Sequence, residues 1–395
     1  MNFQMLILLI EKNENMKIPQ IAIFLSIVLS VYALVNLFIF YQTRPVFSLA
    51  SIGTWLKFVF WFIVLSYPLG RTLEAILGGQ IPTLLVKVGS IWLAFMLYLT
   101  LFFLLFQITS PLINWLVKID IKSSLETHRM IVGMVYFATL TVILAGYINA
   151  VNPKINQLKI ESSKPVPGGG LTIAMVSDIH LGTIIGKNEL SSLVDKINSQ
   201  KPDIVLFVGD IFDEDIAPVV NGQMGEQFER INAKYGVFAV TGNHEFFSNH
   251  QAIIEYLQKH GVNVLNDTVA EVANINIVGR YDRQSNFALG QSRKTLSELT
   301  KDIDQSKFTV VLDHQPFNLN ESVESGADLQ LSGHTHHGQM WPLNYITQAV
   351  YEVSMGYKKI GNTHIYVSPG YGTWGPRVRL GNRPEIAVIR VKDKG

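Results

Sequence analysis

Four long apolar stretches within the first 150 residues constrain this chain more than any other feature. At a rise of 1.5 Å per residue, about 20 apolar residues cross a hydrocarbon core of roughly 30 Å. The stretches are Ile18–Tyr41, Ile52–Gly70, Val88–Ile108 and Met130–Ala150. Only the second holds a charge, Lys57 near one end, where a long side chain can snorkel to the headgroups. Being short, that second stretch has an alternative as an interfacial amphipathic helix. A cleaved signal peptide does not fit, because three more apolar segments follow the first. Met1–Asn15, an apolar run and then a polar one ahead of Met16-Lys17, leaves both Met1 and Met16 open as starts of translation.

The charge distribution follows the same division. Residues 1–150 hold nine of the 32 Lys/Arg and five of the 31 Asp/Glu, so residues 151–395 have the composition of an ordinary soluble domain. A net charge of +1 without a basic run excludes nucleic-acid binding by phosphate neutralisation. The absence of cysteine excludes disulfides, thiolate zinc sites, iron–sulfur clusters and cysteine nucleophiles. Around the spans, Lys12, Lys17, Arg71, Lys87, Lys154, Lys159 and Lys164 fall on one side, against Arg44, Lys118, Lys122 and Arg129, with Lys57, on the other. This small excess leans toward a cytoplasmic N-terminus and a cytoplasmic C-terminal domain.

Asn152–Pro167 contains three prolines and runs into Gly168-Gly169-Gly170, so residues 151–170 read as a linker, not a phosphate loop, because no lysine follows. Residues 171–395 then alternate β-rich runs with helical patterns. The runs are Leu171–Val176, Ile204–Val208, Val237–Thr241, Ile275–Gly279, Phe308–Leu312, Asp328–Leu331, Ile365–Val367 and Ile386–Val391; the helical patterns include Lys187–Asn198, Asn249–His260 and Ser292–Asp302. Such alternation predicts an α/β domain with a largely buried sheet.

Five of the runs end in short polar motifs: Ser177-Asp178-Ile179-His180, Gly209-Asp210, Gly242-Asn243-His244-Glu245, Asp313-His314 and Gly333-His334-Thr335-His336. Ligands of open α/β sheets bind beyond the carboxyl ends of the strands, so these motifs converge. Half of the ten histidines lie within them. Imidazole, carboxylate and amide oxygen together suit a pair of divalent ions such as Mn²⁺, Fe²⁺ or Zn²⁺ better than calcium or a structural zinc. Two ions need a bridging carboxylate, and Asp210 is the choice. The spacings Asp178-x-His180 and His334-x-His336 put each pair on one side of an extended segment. Asp213 and Asp313 are candidates to orient the imidazoles.

The order Asp-x-His, Gly-Asp, Gly-Asn-His-Glu, His, Gly-His-x-His resembles the calcineurin-like metallophosphoesterase superfamily over about Leu171–Arg390. The flanking text, Ser177–Gly182 and Gly372-Thr373-Trp374-Gly375-Pro376 followed by Arg379-Leu380-Gly381-Asn382-Arg383-Pro384-Glu385, is similar to a membrane-anchored bacterial branch that includes phosphodiesterases and a UDP-2,3-diacylglucosamine hydrolase. The resemblance implies a four-layer αββα sandwich, here preceded by an all-α transmembrane region of about four helices. It implies Asp178, His180, Asp210 and His336 as ligands of one metal and Asp210, Asn243, His314 and His334 as ligands of the second. His244 is implied to face the substrate and assist the leaving group, in hydrolysis by a metal-bridging hydroxide. No Gly-x-Ser-x-Gly elbow or Walker loop argues for another nucleophile.

Other residues have plainer readings. His337 is a surface or supporting residue, His128, His250, His260 and His364 are ordinary polar side chains, and Glu245 fixes its loop. Arg377, Arg379 and Arg383 either bind a substrate phosphate or pair with Glu385. The aromatic text from His337 through Trp341, Tyr345, Ile346, Tyr351 and Tyr357, with Phe246 and Phe247, either rims the site or packs beneath the loops. As a rim it would take a lipid-linked phosphodiester or pyrophosphate at the bilayer surface, which makes lipid bilayer and phosphorylated substrate the expected partners. A non-catalytic membrane sensor using the same fold is the alternative, and a full ligand set argues against it.

Overall fold

The computed structural model describes residues 18–49, 52–77, 79–118, 124–290 and 292–394. Met1–Asn15, both candidate start methionines, and Lys12, Lys17 and Lys122 of the charge count lie outside the described residues. The chain forms two compact units, which divide at Ile148 and Asn149.

The first unit is helical: α1 (Ile18–Phe47), α2 (Gly53–Leu77), α3 (Gln80–Val117) and α4 (Leu125–Ala150). All four are long and apolar enough to cross a membrane. Each runs beyond the apolar stretch that marks it in the sequence, because hydropathy falls at Lys87 or Arg44 while the backbone hydrogen bonding continues. The second stretch packs as one of the bundle, with Phe60, Val64, Ser66 and Gly70 buried. Glycine permits this packing: a Cβ on Gly89 would lie 2.3 Å from the Tyr67 nitrogen, and one on Gly70 would lie 2.7 Å from that of Val86. Close approach at small residues is the usual means of association between apolar helices. The buried Asn36 carboxamide accepts a 2.9 Å bond from Trp92 Nε1, which satisfies a polar group that would otherwise be costly there.

The second unit holds twelve strands among the described residues. They are β1 (Lys154–Ser162), β2 (Gly170–Val176), β3 (Ile204–Val208), β4 (Val237–Val240), β5 (Val262–Val264), β6 (Thr268–Val272), β7 (Ile275–Gly279), β8 (Phe308–Leu312), β9 (Leu329–Ser332), β10 (Gly356–Ile360), β11 (Thr363–Val367) and β12 (Glu385–Asp393). One six-stranded sheet has the order β1-β12-β2-β3-β4-β5, and the other β10-β11-β9-β8-β7-β6. Strands β3 and β8, parallel to both neighbours, are buried at every position, as parallel strands covered on both faces must be.

The sheets pack face to face through Ile173, Met175, Leu206 and Val208 of one and Ile277, Val310, Leu312 and Leu331 of the other. The outer face of the first is covered by α5 (Lys187–Ser199) and α6 (His250–Lys259), through Leu190, Leu193, Ile197, Ile253 and Leu257. Leu296 and Leu299 of α7 (Leu296–Thr300) cover Val278 and Val311 of the second. The result is the four-layer αββα sandwich, preceded by the four apolar helices. Only the Leu296–Thr300 turn of the expected Ser292–Asp302 helix forms, started by a capping box in which Thr295 and Glu298 accept each other's backbone N–H.

The linker reading of 151–170 is corrected. Lys154–Ser162 is strand β1, paired in parallel with β12 from Lys154↔Glu385 to Ser162↔Asp393. An edge strand with one neighbour keeps most of its side chains in water; only Ile160 and Ser162 of its nine residues are buried, so the segment has the composition of a linker.

Candidate metal centre

The five motifs follow β2, β3, β4, β8 and β9, and their side chains meet at one end of the two sheets. The backbone does not place them as the sequence suggests. Asp178 and His180 have φ of +52° and +53°, and His334 and His336 have +69° and +44°, so neither pair lies on an extended segment. Asp210 is left-handed too, at +50°. Non-glycine residues seldom adopt this region, and such strain persists where surrounding structure enforces it, most often at functional sites. The enforcement here is a set of backbone bonds: Asp178 N to Gly209 O (3.0 Å), His180 N to Asp210 O (3.0 Å) and Gly333 N to His314 O (2.9 Å).

Two ligand groups result. Asp178, His180 and His336 bring one ligand atom each within 4.8 Å of the others, and so do Asp210, His314 and His334. His180 Nε2 and His336 Nε2 face each other at 3.0 Å, and His336 Nε2 lies 3.5 Å from Asp178 Oδ1. Asp210 Oδ2 lies 3.1 Å from His314 Nε2 and 4.0 Å from His180 Nε2, between the groups. Asn243 Oδ1 is buried without a hydrogen-bond partner. A buried orphaned oxygen and imidazole nitrogens turned toward one another are costly unless a cation sits among them, so the residues present fit divalent metal. His314 Nδ1 donates to Val208 O at 2.7 Å, which leaves Nε2 free as a ligand atom.

The electrostatics divide the imidazoles. Burial, then the neighbouring His314, pushes His334 down to about 3, and burial likewise holds His336 well below its ordinary value, so both are neutral. Burial opposes charge on His244 also, but Asp210 and Asp213 outweigh it and hold His244 up at about 9. Asp210 is kept well below the ordinary carboxylate range because His314 and His244 outweigh its own burial.

Of the two carboxylates expected to orient the imidazoles, one does so. Asp213 Oδ1 lies 3.3 Å from His244 Nδ1 and 3.6 Å from His180 Nδ1, and these three form a further cluster. Asp313, the other candidate, instead pairs with Arg280 and Arg293 at 3.0 Å. Glu245 fixes its loop: its fully buried carboxylate accepts from Asp210 N (3.1 Å), Phe212 N (2.9 Å) and Gly242 N (2.6 Å). Glu245→Ala strands three donors at about 1–3 kcal/mol each and should lower the melting temperature by well over 5 °C, which calorimetry would show.

Arg379 takes neither of its expected roles. Fully buried, it donates to Gly372 O, Asn382 Oδ1 and His336 Nδ1, while Asn382 Nδ2 donates to His336 O, so the pair holds the His336 turn. Arg383 donates to Asn152 O. His337 is buried rather than on the surface, 2.9 Å from Ser354 Oγ.

The aromatic text divides. Phe246 is buried and stacks on His250 at 5.1 Å, and Tyr351 packs on Phe317 at 4.8 Å. Trp341, Tyr345, Ile346 and Trp374 are exposed, at 50–61%. Gln339 joins one of them to the centre: three residues past His336, it exchanges hydrogen bonds of 2.9–3.0 Å with the Trp374 backbone.

Comparison with known proteins agrees with this geometry. The calcineurin-like phosphoesterase family model matches residues 171–338. An uncharacterised metallophosphoesterase of Campylobacter jejuni is 31% identical, over 68% of this chain and 73% of its own length. One of Helicobacter pylori is 32% identical, over 66% and 70%. A zebrafish (Danio rerio) transmembrane protein with a metallophosphoesterase domain is 28% identical, over 64% and 61%. This chain belongs to the calcineurin-like metallophosphoesterase family.

Proposed function

We propose that the protein is a membrane-bound phosphoesterase that hydrolyses a phosphodiester or pyrophosphate at a pair of divalent ions. The observation that carries this reading is the pair of ligand groups with the Asp210 carboxylate between them. Asp178, His180, Asp210 and His336 would hold one ion, and Asp210, Asn243, His314 and His334 the other. Bound there, such ions supply Lewis-acid stabilisation of charge on the phosphoryl group and activation of a water. His244 is charged at neutral pH and oriented by Asp213, so it can hand a proton to the departing oxygen.

The exposed aromatic group supports a lipid-linked substrate. Trp341, Tyr345 and Trp374 offer the apolar body and polar tip that partition to the bilayer interface, and Ile346 adds apolar area beside them in sequence. The lysine and arginine balance around the spans supports a cytoplasmic domain.

The test uses the full chain in mixed micelles with Mn²⁺, Fe²⁺ or Zn²⁺ and two substrates, a phospholipid diester and bis(p-nitrophenyl) phosphate. Both should be hydrolysed, and inactivity with every divalent metal would favour the sensor reading. Trp341→Ser with Ile346→Ser should lower lipid turnover about tenfold and leave the soluble ester unaffected. Equal loss on both would remove the lipid assignment.

A further inference from the structure

Beside the candidate metal centre, the loop after β7 carries three arginines, Arg280, Arg283 and Arg293, two of which hold carboxylates, although Arg280 Nε is itself buried without a partner. Arg293 grips both oxygens of Asp313, through Nη1 at 3.0 Å and Nη2 at 3.2 Å. Arg280 Nη1 donates to Asp313 Oδ2 (3.0 Å) and Glu321 Oε2 (2.7 Å), and its Nη2 donates to Lys294 O (3.2 Å). The adjacent Asp282 is also consumed, by the Gln284 backbone N–H at 2.7 Å and by the Gln315 carboxamide at 2.9–3.0 Å.

Arg283 is left over. Its Nε and Nη2 are buried with no hydrogen-bond partner, and no carboxylate among the described residues forms an ion pair with it. Its guanidinium carbon lies 5.3 Å from the centroid of the Phe317 ring. Burial and then Arg293 oppose its charge, while Asp313 and Glu321 favour it without forming an ion pair with it. Buried donors of a charged guanidinium without an acceptor are rare in folded proteins, and the chemistry that satisfies them is a bidentate anion, phosphate above all.

The position relates this group to the site already described. Phe317 follows His314 by three residues and packs on Tyr351 at 4.8 Å; the Tyr351 ring lies 6.1 Å from that of His334. Two aromatic rings thus separate Arg283 from the second ligand group. A substrate held at the second ligand group and lying along these two rings would bring a further phosphate, several bonds from the first, to Arg283.

We infer that Arg283 is a specificity residue that binds a second phosphate of the substrate, remote from the phosphorus under attack, with the intervening portion lying along Phe317 and Tyr351. This inference rests on the phosphoesterase reading and narrows its substrate class to doubly phosphorylated esters.

Two chromogenic esters with one leaving group provide the test: the p-nitrophenyl ester of thymidine 5′-phosphate, with and without a 3′-phosphate, given to the full chain in detergent with divalent metal. The wild type should prefer the 3′-phosphorylated ester in kcat/KM by about tenfold to a hundredfold, the range of one charge-assisted contact. Arg283→Gln should erase that preference, mainly through KM, with the plain ester within about twofold of wild type. Arg283→Lys should keep part of it. A wild type without preference overturns the inference, as does a Gln variant that depresses both esters equally while the Lys variant does the same. Hydrolysis of neither ester by the wild type would instead sink the phosphoesterase reading.

Discussion

Asp210→Asn should abolish hydrolysis and lower bound divalent metal from about two ions per chain, while the unfolding of the αββα unit stays close to that of the wild type. The reason is the number of tasks on one carboxylate. Oδ2 lies 3.1 Å from His314 Nε2 and 4.0 Å from His180 Nε2, and Oδ1 accepts the His244 backbone N–H at 2.9 Å. Asparagine keeps the volume and an acceptor for His244 N, so the loop should stay in place. What disappears is the negative charge that offsets two cations held in a small space. The apolar packing between and outside the sheets contains none of the ligands, so the fold does not depend on this charge. Metal analysis together with turnover on bis(p-nitrophenyl) phosphate decides the matter, and a variant with wild-type turnover would refute a shared carboxylate. Asn243→Ala should act more weakly, through one ion alone.

The second large effect depends on the leaving group. His244→Ala should lose about 10²–10⁴-fold with alkoxide leaving groups and far less with p-nitrophenoxide, which departs without a proton. His244 is buried, with Nδ1 3.3 Å from Asp213 Oδ1 and its ring 4.6 Å from that of His180. It stands outside the two groups that share Asp210 and meets His180 only through the further cluster with Asp213, so metal content should not change if its role is proton donation. Equal losses with both kinds of leaving group, or loss of an ion, would show that His244 acts as a ligand. Asp213→Asn tests its support: with the carboxylate gone, the imidazole should charge at lower pH and activity with alkoxide esters should fall in part.

Much of this was legible because the signals are local. An apolar run of about 20 residues is a membrane-length helix whatever surrounds it, and the text at each strand end names its own candidate ligands. Boundaries were less legible. Lys154–Ser162 has a linker's composition because an edge strand exposes most of its side chains, and only pairing with β12, more than 200 residues away in sequence, makes it a strand. The Asp178 and His180 pair had the right spacing for the wrong reason, since left-handed backbone rather than strand alternation directs the two side chains.

The four apolar helices, the α/β alternation and the candidate ligands are set by the sequence alone, all of them properties of short windows or fixed spacings. Tertiary structure decided which side chains support the site. Asp213 rather than Asp313 orients His244 because Arg280 and Arg293 claim the latter. Arg379 holds the His336 turn instead of a phosphate because it is buried, and Arg283 keeps free donors because every nearby carboxylate is already taken. The physical reason is common to all three. A charged side chain's role depends on which opposite charges and acceptors remain unclaimed within about 4 Å, and that inventory exists only after distant segments have packed together.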